Sequence, residues 1–312
     1  MSDSSEAPEA VRPFRISFRG AASSSQKLPP ALVLDVPCLA GDEVEEIFPP
    51  ALLVKSESGL SLYRSGELLL GCATERLTGA DVDGHTRRAY QRMLAACQGF
   101  HLYRIWNYVP RINAVVAGLE HYRAFCRGRS EVFERSWGSE YKRLLPAASA
   151  VGCDDDQVGV VFAAGVERPA HVENPEQLPA YEYPKEHGPR PPSFSRATLA
   201  QADNRRLVFV SGTAAIKGHA TVAPGALPEQ IACTLDNLRL VSRASGLGEA
   251  LGAESAWNRH FKIYLRRATE LLSARSLLEG TLLQESDRVT WLRADICRAA
   301  LNIEIEATLV QR

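Results

Sequence analysis

No stretch of this 312-residue chain approaches the roughly 20 consecutive apolar residues that span a bilayer, and the run at 51–54 is too short even for a buried helix. The opening residues lack the basic start and apolar centre of a secretory signal, so 1–12 is expected to be a flexible tail and the protein cytoplasmic. Charge of either sign is also missing in excess. Thirty-six Lys and Arg against 37 Asp and Glu leave a formal charge of -1, which gives nucleic acid or a membrane surface nothing to hold. Seven cysteines, an odd number without any CxxC pair, exclude a disulfide framework and a zinc knuckle. They are expected to be reduced and mostly buried. The seven histidines form no HxH or HExxH grouping, so neither metal nor cofactor is expected. Asp154–Asp156 lacks the remaining spacing of a calcium loop and is expected to be a solvated turn between the halves of the chain.

What the chain does contain is an ordinary globular composition, 45% hydrophobic and 23% charged, at a length that suits two core-bearing halves. The segment 173–197 holds six prolines and cannot be helix interior; it should be a loop feeding a new unit. After it, Leu207–Ser211 is β-branched and apolar up to Gly212, as in a buried strand stopped by a turn. Ile231, Leu235, Leu238 and Val241 then recur at helical spacing behind Pro228, which suits a first turn. A strand at 261–265, a helix at 270–279, a strand at 289–292 and an alternating strand at 300–310 complete the series. The earlier part runs in parallel: an apolar run at 68–70 before Gly71, helix 85–97, strand 101–108 and helix 112–126. Gly71 and Gly212 lie 141 residues apart, and Arg88 and Ala232 lie 144 apart. The spacing predicts a duplicated unit of strand, glycine turn, helix, strand and helix. The aromatics of His101–Tyr108 are expected to fill the first half's core or its contact with the second.

Three motifs, PSFSRA (Pro192–Ala197), VFVSGTA (Val208–Ala214) and NIEIEA (Asn302–Ala307), resemble in order the start, first strand end and closing strand of the YjgF-like fold. Longer strings, HLYRIWNYVPRIN (101–113), YRAFCRGRSEVF (122–133), ENPEQLPAYEYP (173–184) and GPRPPSFSRA (188–197), are similar to the chorismatases. That resemblance implies an α+β fold of two YjgF-like, chorismate-mutase-like halves with helices packed on mixed β-sheets. The first, degenerate half is expected at 13–150, and the second, at 151–312, carries the active site. It also implies a monomer and a single small-molecule partner, chorismate, cleaved to 3-hydroxybenzoate and pyruvate, with 4-hydroxybenzoate as a second possible product.

Chorismate carries two carboxylates, a ring hydroxyl and an enol ether. A site for it needs fixed cations and one acid able to protonate the vinyl methylene. The planar fork of arginine binds a carboxylate bidentately, and Arg190, Arg196, Arg266 and Arg293 flank the predicted strand ends and the proline-rich loop. Thr213 and the Gly212 turn could add hydrogen bonds to a carboxylate, Ala214 would keep the pocket floor small, and Tyr264 is a further binding candidate on its strand. Alternation puts Glu304 and Glu306 on one face of a strand, a pattern that by itself suits solvated carboxylates. The resemblance instead makes Glu304 the proton donor, which requires burial against apolar walls, screened from the carboxylate-binding arginines, to raise its pKa. Aromatising chorismatases carry a cysteine seven residues before that glutamate, and Cys297 stands there; its implied role is positioning or proton transfer during ring opening. Two alternatives remain open at this stage. One is water addition to give a dihydroxycyclohexadiene carboxylate, and the other is imine hydrolysis as in shorter YjgF-like deaminases.

Overall fold

The computed structural model describes residues 13–19, 30–79, 81–253 and 256–312; the expected tail, 1–12, lies outside the described residues. In chain order, β1 (Arg15–Arg19), β2 (Leu32–Ala40) and β3 (Val44–Glu46) come first. β4 (Leu52–Glu57), β5 (Leu60–Ser65), β6 (Leu68–Arg76), helix α1 (Val82–Ala96) and β7 (His101–Pro110) follow. A small hairpin, β8 (Val115–Val116) and β9 (Leu119–Glu120), leads into α2 (His121–Trp137), then β10 (Ala147–Cys153) and β11 (Gln157–Gly165). The second series is β12 (Ala170–Val172), β13 (Ala197–Ala202) and β14 (Arg205–Thr213). It continues through the hairpin β15 (Ile216–Lys217) and β16 (Ala220–Thr221) to α3 (Leu227–Ala244), β17 (Trp257–Leu265) and α4 (Leu271–Leu278). β18 (Arg288–Arg293) and β19 (Ile303–Gln311) close it.

The duplication is explicit in strand order. One sheet runs β4-β5-β6-β11-β7-β10, and the other runs β12-β13-β14-β19-β17-β18 before adding β2, β1 and β3 at its far edge. β7 and β10 are parallel, as are β17 and β18, while β11 and β19 are antiparallel to their neighbours. Each parallel pair needs a crossover, and α2 and α4 lie in those connections.

The sheets stack face to face between outer helices. Between them lies a core of Phe18, Leu34, Leu70, Tyr103, Trp106, Tyr108, Phe209 and Tyr264, so the β7 aromatics do meet the second half. The outer face of the first sheet packs on α1 and α2 through Tyr90, Met93, Phe125 and Phe133. The outer face of the second packs on α3 and α4 through Ile231, Leu238, Ala274 and Leu278. At roughly 1.5–3 kcal/mol per large apolar side chain removed from water, these three layers account for the drive to fold.

The structure corrects the sequence reading in several places. Gly71 and Gly212 lie inside β6 and β14 instead of at turns; Gly71 is required by close approach, since a Cβ there would press on the Phe162 ring and the Ser61 carbonyl. The helix expected at 112–126 begins only at His121, because Arg111 and Ala117 adopt positive φ and 115–120 forms a hairpin. The boundary expected at 150/151 falls inside β10, and the first sheet runs on through β11 to Gly165. β1, β2 and β3 belong to the second half's sheet. Asp154–Asp156 turns between β10 and β11 within the first half, with Asp156 paired to Arg111 at 2.8 Å. All seven cysteines are unbridged, five of them buried. Among the described residues no helix is long and apolar enough to cross a membrane.

Candidate active site

Glu304 sits on β19, whose burial is nearly complete on both faces. The half-solvated strand that alternation suggests is therefore not what forms. Opposite it, the pairing of β14 slips by one residue between Val210 and Thr213, a bulge that bends the strand beside the carboxyl. Gly212 lies in that bulge, and a Cβ there would collide with Glu304 Oε1. The carboxyl is 3% exposed, and its Oε1 has no hydrogen-bond partner among the described residues. Cys297 Sγ is 4.0 Å from Oε2. Burial, and secondarily the charge of Glu306, push the Glu304 pKa up to about 8, against the opposing pull of Arg104. The acid thus keeps its proton at neutral pH, as its expected role requires. Burial and the nearby carboxylate likewise push the Cys297 thiol up to about 12, so it is a thiol and not a thiolate.

Behind Glu304 runs a chain of buried ions that crosses the two sheets. Arg104 of β7 donates to Ser149 Oγ at 2.9 Å and to Glu306 Oε2 at 2.7 Å. Lys262 of β17 stands 3.2 Å from Glu306 Oε1 and 3.1 Å from Glu45 Oε2, and both cations lie over the Trp106 ring. At the far end His260, whose pKa burial lowers to about 4, faces Glu45 at 3.4 Å as a neutral ring. Two carboxylates are therefore matched by two cations. A third negative charge at Glu304 would have no counter-ion, which is the second physical reason it stays protonated.

In front of Glu304 opens a cavity of about 400 Å³ lined from both halves, a size suited to a small metabolite. Its walls include Ala148, Ala150, Gly212, Ala214, Ile216 and Phe194. Four arginines, Arg123, Arg129, Arg196 and Arg298, also line it. None of the four is among the causes of the Glu304 shift. Arg129, 1% exposed, has an Nε without a hydrogen-bond partner among the described residues and packs against the Phe125 ring. Arg196 is held by Tyr183 Oη at 2.9 Å and stacks on Phe194. Its nearest carboxylate, Glu173, lies 3.9 Å away, and burial raises that group's pKa to about 7, so it is a weak counter-ion.

Of the residues singled out from the sequence, Glu304, Cys297, Arg196, Gly212 and Ala214 line this cavity; Arg190, Thr213, Tyr264, Arg266 and Arg293 do not. Arg190 is at the surface, paired to Glu134 at 3.1 Å. Arg266 is consumed by structure: it donates to Leu301, Ile296 and Arg298 carbonyls, to Asn113 and to Asp295. Arg293, half-buried, faces Asp154 at 3.5 Å. Thr213 donates its hydroxyl to the Ser211 carbonyl. Tyr264 pairs across from Glu304 but is fully buried in the core between the sheets. Three cations that do reach the cavity were missed: Arg298, next to Cys297, and Arg123 and Arg129, which belong to α2 of the first half. The only signal in the sequence for the α2 pair was their place in the string at 122–133.

Fold and site together define a class: a duplicated α+β protein whose seam holds a protonated carboxylic acid facing an arginine-rich pocket for a small anion. A family model described as the N-terminal part of FkbO/Hyg5-like chorismatases matches residues 51–164. The chain is 34% identical over 264 residues to a 3-hydroxybenzoate synthase of Streptomyces hygroscopicus, covering 81% of this chain and 76% of that protein. It is 36% identical over 265 residues to a chorismatase of Streptomyces rapamycinicus, covering 81% and 78%. A crystal structure of a chorismatase superposes with a TM-score of 0.78 at 28% identity, over 99% of this chain and 95% of that one. The chain belongs to the chorismatase family. Its duplicated α+β architecture of helices packed on mixed sheets is the one the sequence reading expects.

Proposed function

We propose that this chain is a chorismatase that converts chorismate to 3-hydroxybenzoate and pyruvate, with 4-hydroxybenzoate as a possible second product. The observation that carries the reading is the buried, proton-bearing Glu304 in the wall of a cavity that four arginines and several small apolar side chains also line. Arg129, Arg196, Arg123 and Arg298 supply charge for the two carboxylates, which leaves the enol ether to the apolar side chains. Glu304 gives its proton to the vinyl methylene, and positive charge develops on the ether carbon. The neighbouring ring hydroxyl displaces the side chain, pyruvate departs, and the ring opens the resulting epoxide-like intermediate as it loses a C–H proton and aromatises. The products sum to the substrate, so no water is consumed and the acid regains its proton from the ring. Cys297, 4.0 Å from the carboxyl, is placed to guide that last transfer as a neutral thiol. Its presence favours the aromatising outcome over water addition, because members of the family that aromatise carry a cysteine here.

Incubation with chorismate, with pyruvate measured enzymatically and aromatic products by chromatography, tests this reading. Release of pyruvate together with 3-hydroxybenzoate is expected; absence of both rejects it. Glu304→Gln keeps the shape but not the transferable proton. Turnover should fall by about 10²–10⁴-fold, the usual worth of a general acid, with substrate binding retained.

A further inference from the structure

Adjacency along the chain argued against a metal site, but the fold brings together donors that the sequence keeps apart. Glu186 and His187 belong to a short helical turn, 185–187, of the proline-rich loop, and His219 lies between β15 and β16. His187 Nε2 and His219 Nδ1 are 3.0 Å apart, and Glu186 Oε1 is 3.4 Å from each. A tetrahedral zinc with bonds of about 2.0–2.1 Å holds its ligand atoms about 3.3–3.4 Å from one another. The three donors already form a triangle of that size.

Two imidazoles and one carboxylate are a set that zinc and its neighbours in the first transition row accept, whereas calcium and magnesium prefer oxygen. We propose that Glu186, His187 and His219 bind one borderline divalent transition metal, zinc being the natural occupant, at the rim of the cavity. The site has three protein ligands, so a fourth position is open, and because the side chain of His187 is part of the cavity wall, that position is within the reach of a small-molecule anion. The rings are set by their surroundings. His187 packs against the Tyr183 ring at 5.3 Å, and Arg298 donates at 2.8 Å to the backbone carbonyl of His219. Arg298 and Arg123 also line this part of the cavity. Their charge opposes a dication, so affinity in the micromolar range is expected.

The site is independent of the chorismatase reading, and binding alone tests it. Full-length protein stripped with a chelator is titrated with zinc by calorimetry and with cobalt by visible absorption. One ion per chain is expected, with a tetrahedral cobalt spectrum that lacks a thiolate charge-transfer band. His187→Ala and His219→Ala, each checked for folding by circular dichroism, should weaken binding at least tenfold, and Glu186→Gln should weaken it less. No saturable uptake, a thiolate band, or affinity unchanged in both histidine variants would overturn the site.

Discussion

A carboxyl oxygen buried without a hydrogen bond is costly to keep, and Glu304 has one. Its burial is what makes the group a proton donor, so the expense is tied to the proposed chemistry. The arginines divide in the same way between structure and ligand. Arg266 makes so many internal hydrogen bonds that it has nothing left for a ligand, whereas buried Arg129 has an unused donor. Arg129→Met should therefore raise KM for chorismate by about 10–100-fold, the range set by one charge-assisted hydrogen bond, and lower kcat far less; steady-state kinetics checks this. Cys297→Ala should change the ratio of 3- to 4-hydroxybenzoate, read by chromatography, more than it changes chorismate consumption. Glu304 was legible as a cavity residue because the NIEIEA motif holds it, and Cys297 because it stands seven residues earlier. The binding arginines were not, since flanking a predicted strand end does not say whether a guanidinium meets a cavity, a carbonyl or solvent.

At the scale of elements, β19 carries the argument. Its alternation was readable, but the burial of both faces was not, because the face bearing Glu304 and Glu306 is covered by β7 and β10 of the other half, far away in sequence. The contact of Glu306 with Arg104 and Lys262 has a consequence for pH dependence. Glu304 must be protonated to act, and its raised pKa means that the active form is present below about 8 and lost above it. The kcat/KM profile should then fall about tenfold per unit on the alkaline side. Glu306→Gln removes a like charge and leaves Arg104 less neutralised, and both changes favour the Glu304 anion. The alkaline limb should move down by on the order of one pH unit, measured with pyruvate release in wild type and variant. The hairpin ahead of α2 shows the other limit of local reading. Apolar spacing suggests a helix over 112–126, and only the backbone reversal through Ala117 and Gly118 reveals that its first part, before His121, is not one.

For the whole molecule, the duplication was visible as repeated spacing, but the way the halves embrace was not. They share a core in which Phe209 of the second sheet meets Trp106 and Tyr103 of the first, and the β10 amides of Ala147 and Ala148 donate to Thr198 and Ser211 at 2.7 and 2.8 Å. Neither sheet keeps a sealed inner face without the other. Thermal or denaturant unfolding should be one transition when followed by tryptophan fluorescence and far-ultraviolet dichroism together. Phe209→Ala should lower its midpoint by an amount corresponding to about 3–5 kcal/mol without splitting it; two separated transitions would show independent halves.

The strand β2 has a further implication. It borders β18 through Cys38–Leu292 and Ala40–Trp291, so a segment translated early waits on the ribosome for a neighbour made roughly 250 residues later. Until then the edge of β2 that does not pair with β1 is open to any passing chain. The nascent polypeptide should for that reason depend on trigger-factor-type protection during synthesis, and refolding from dilute denaturant should be more efficient than refolding at high protein concentration.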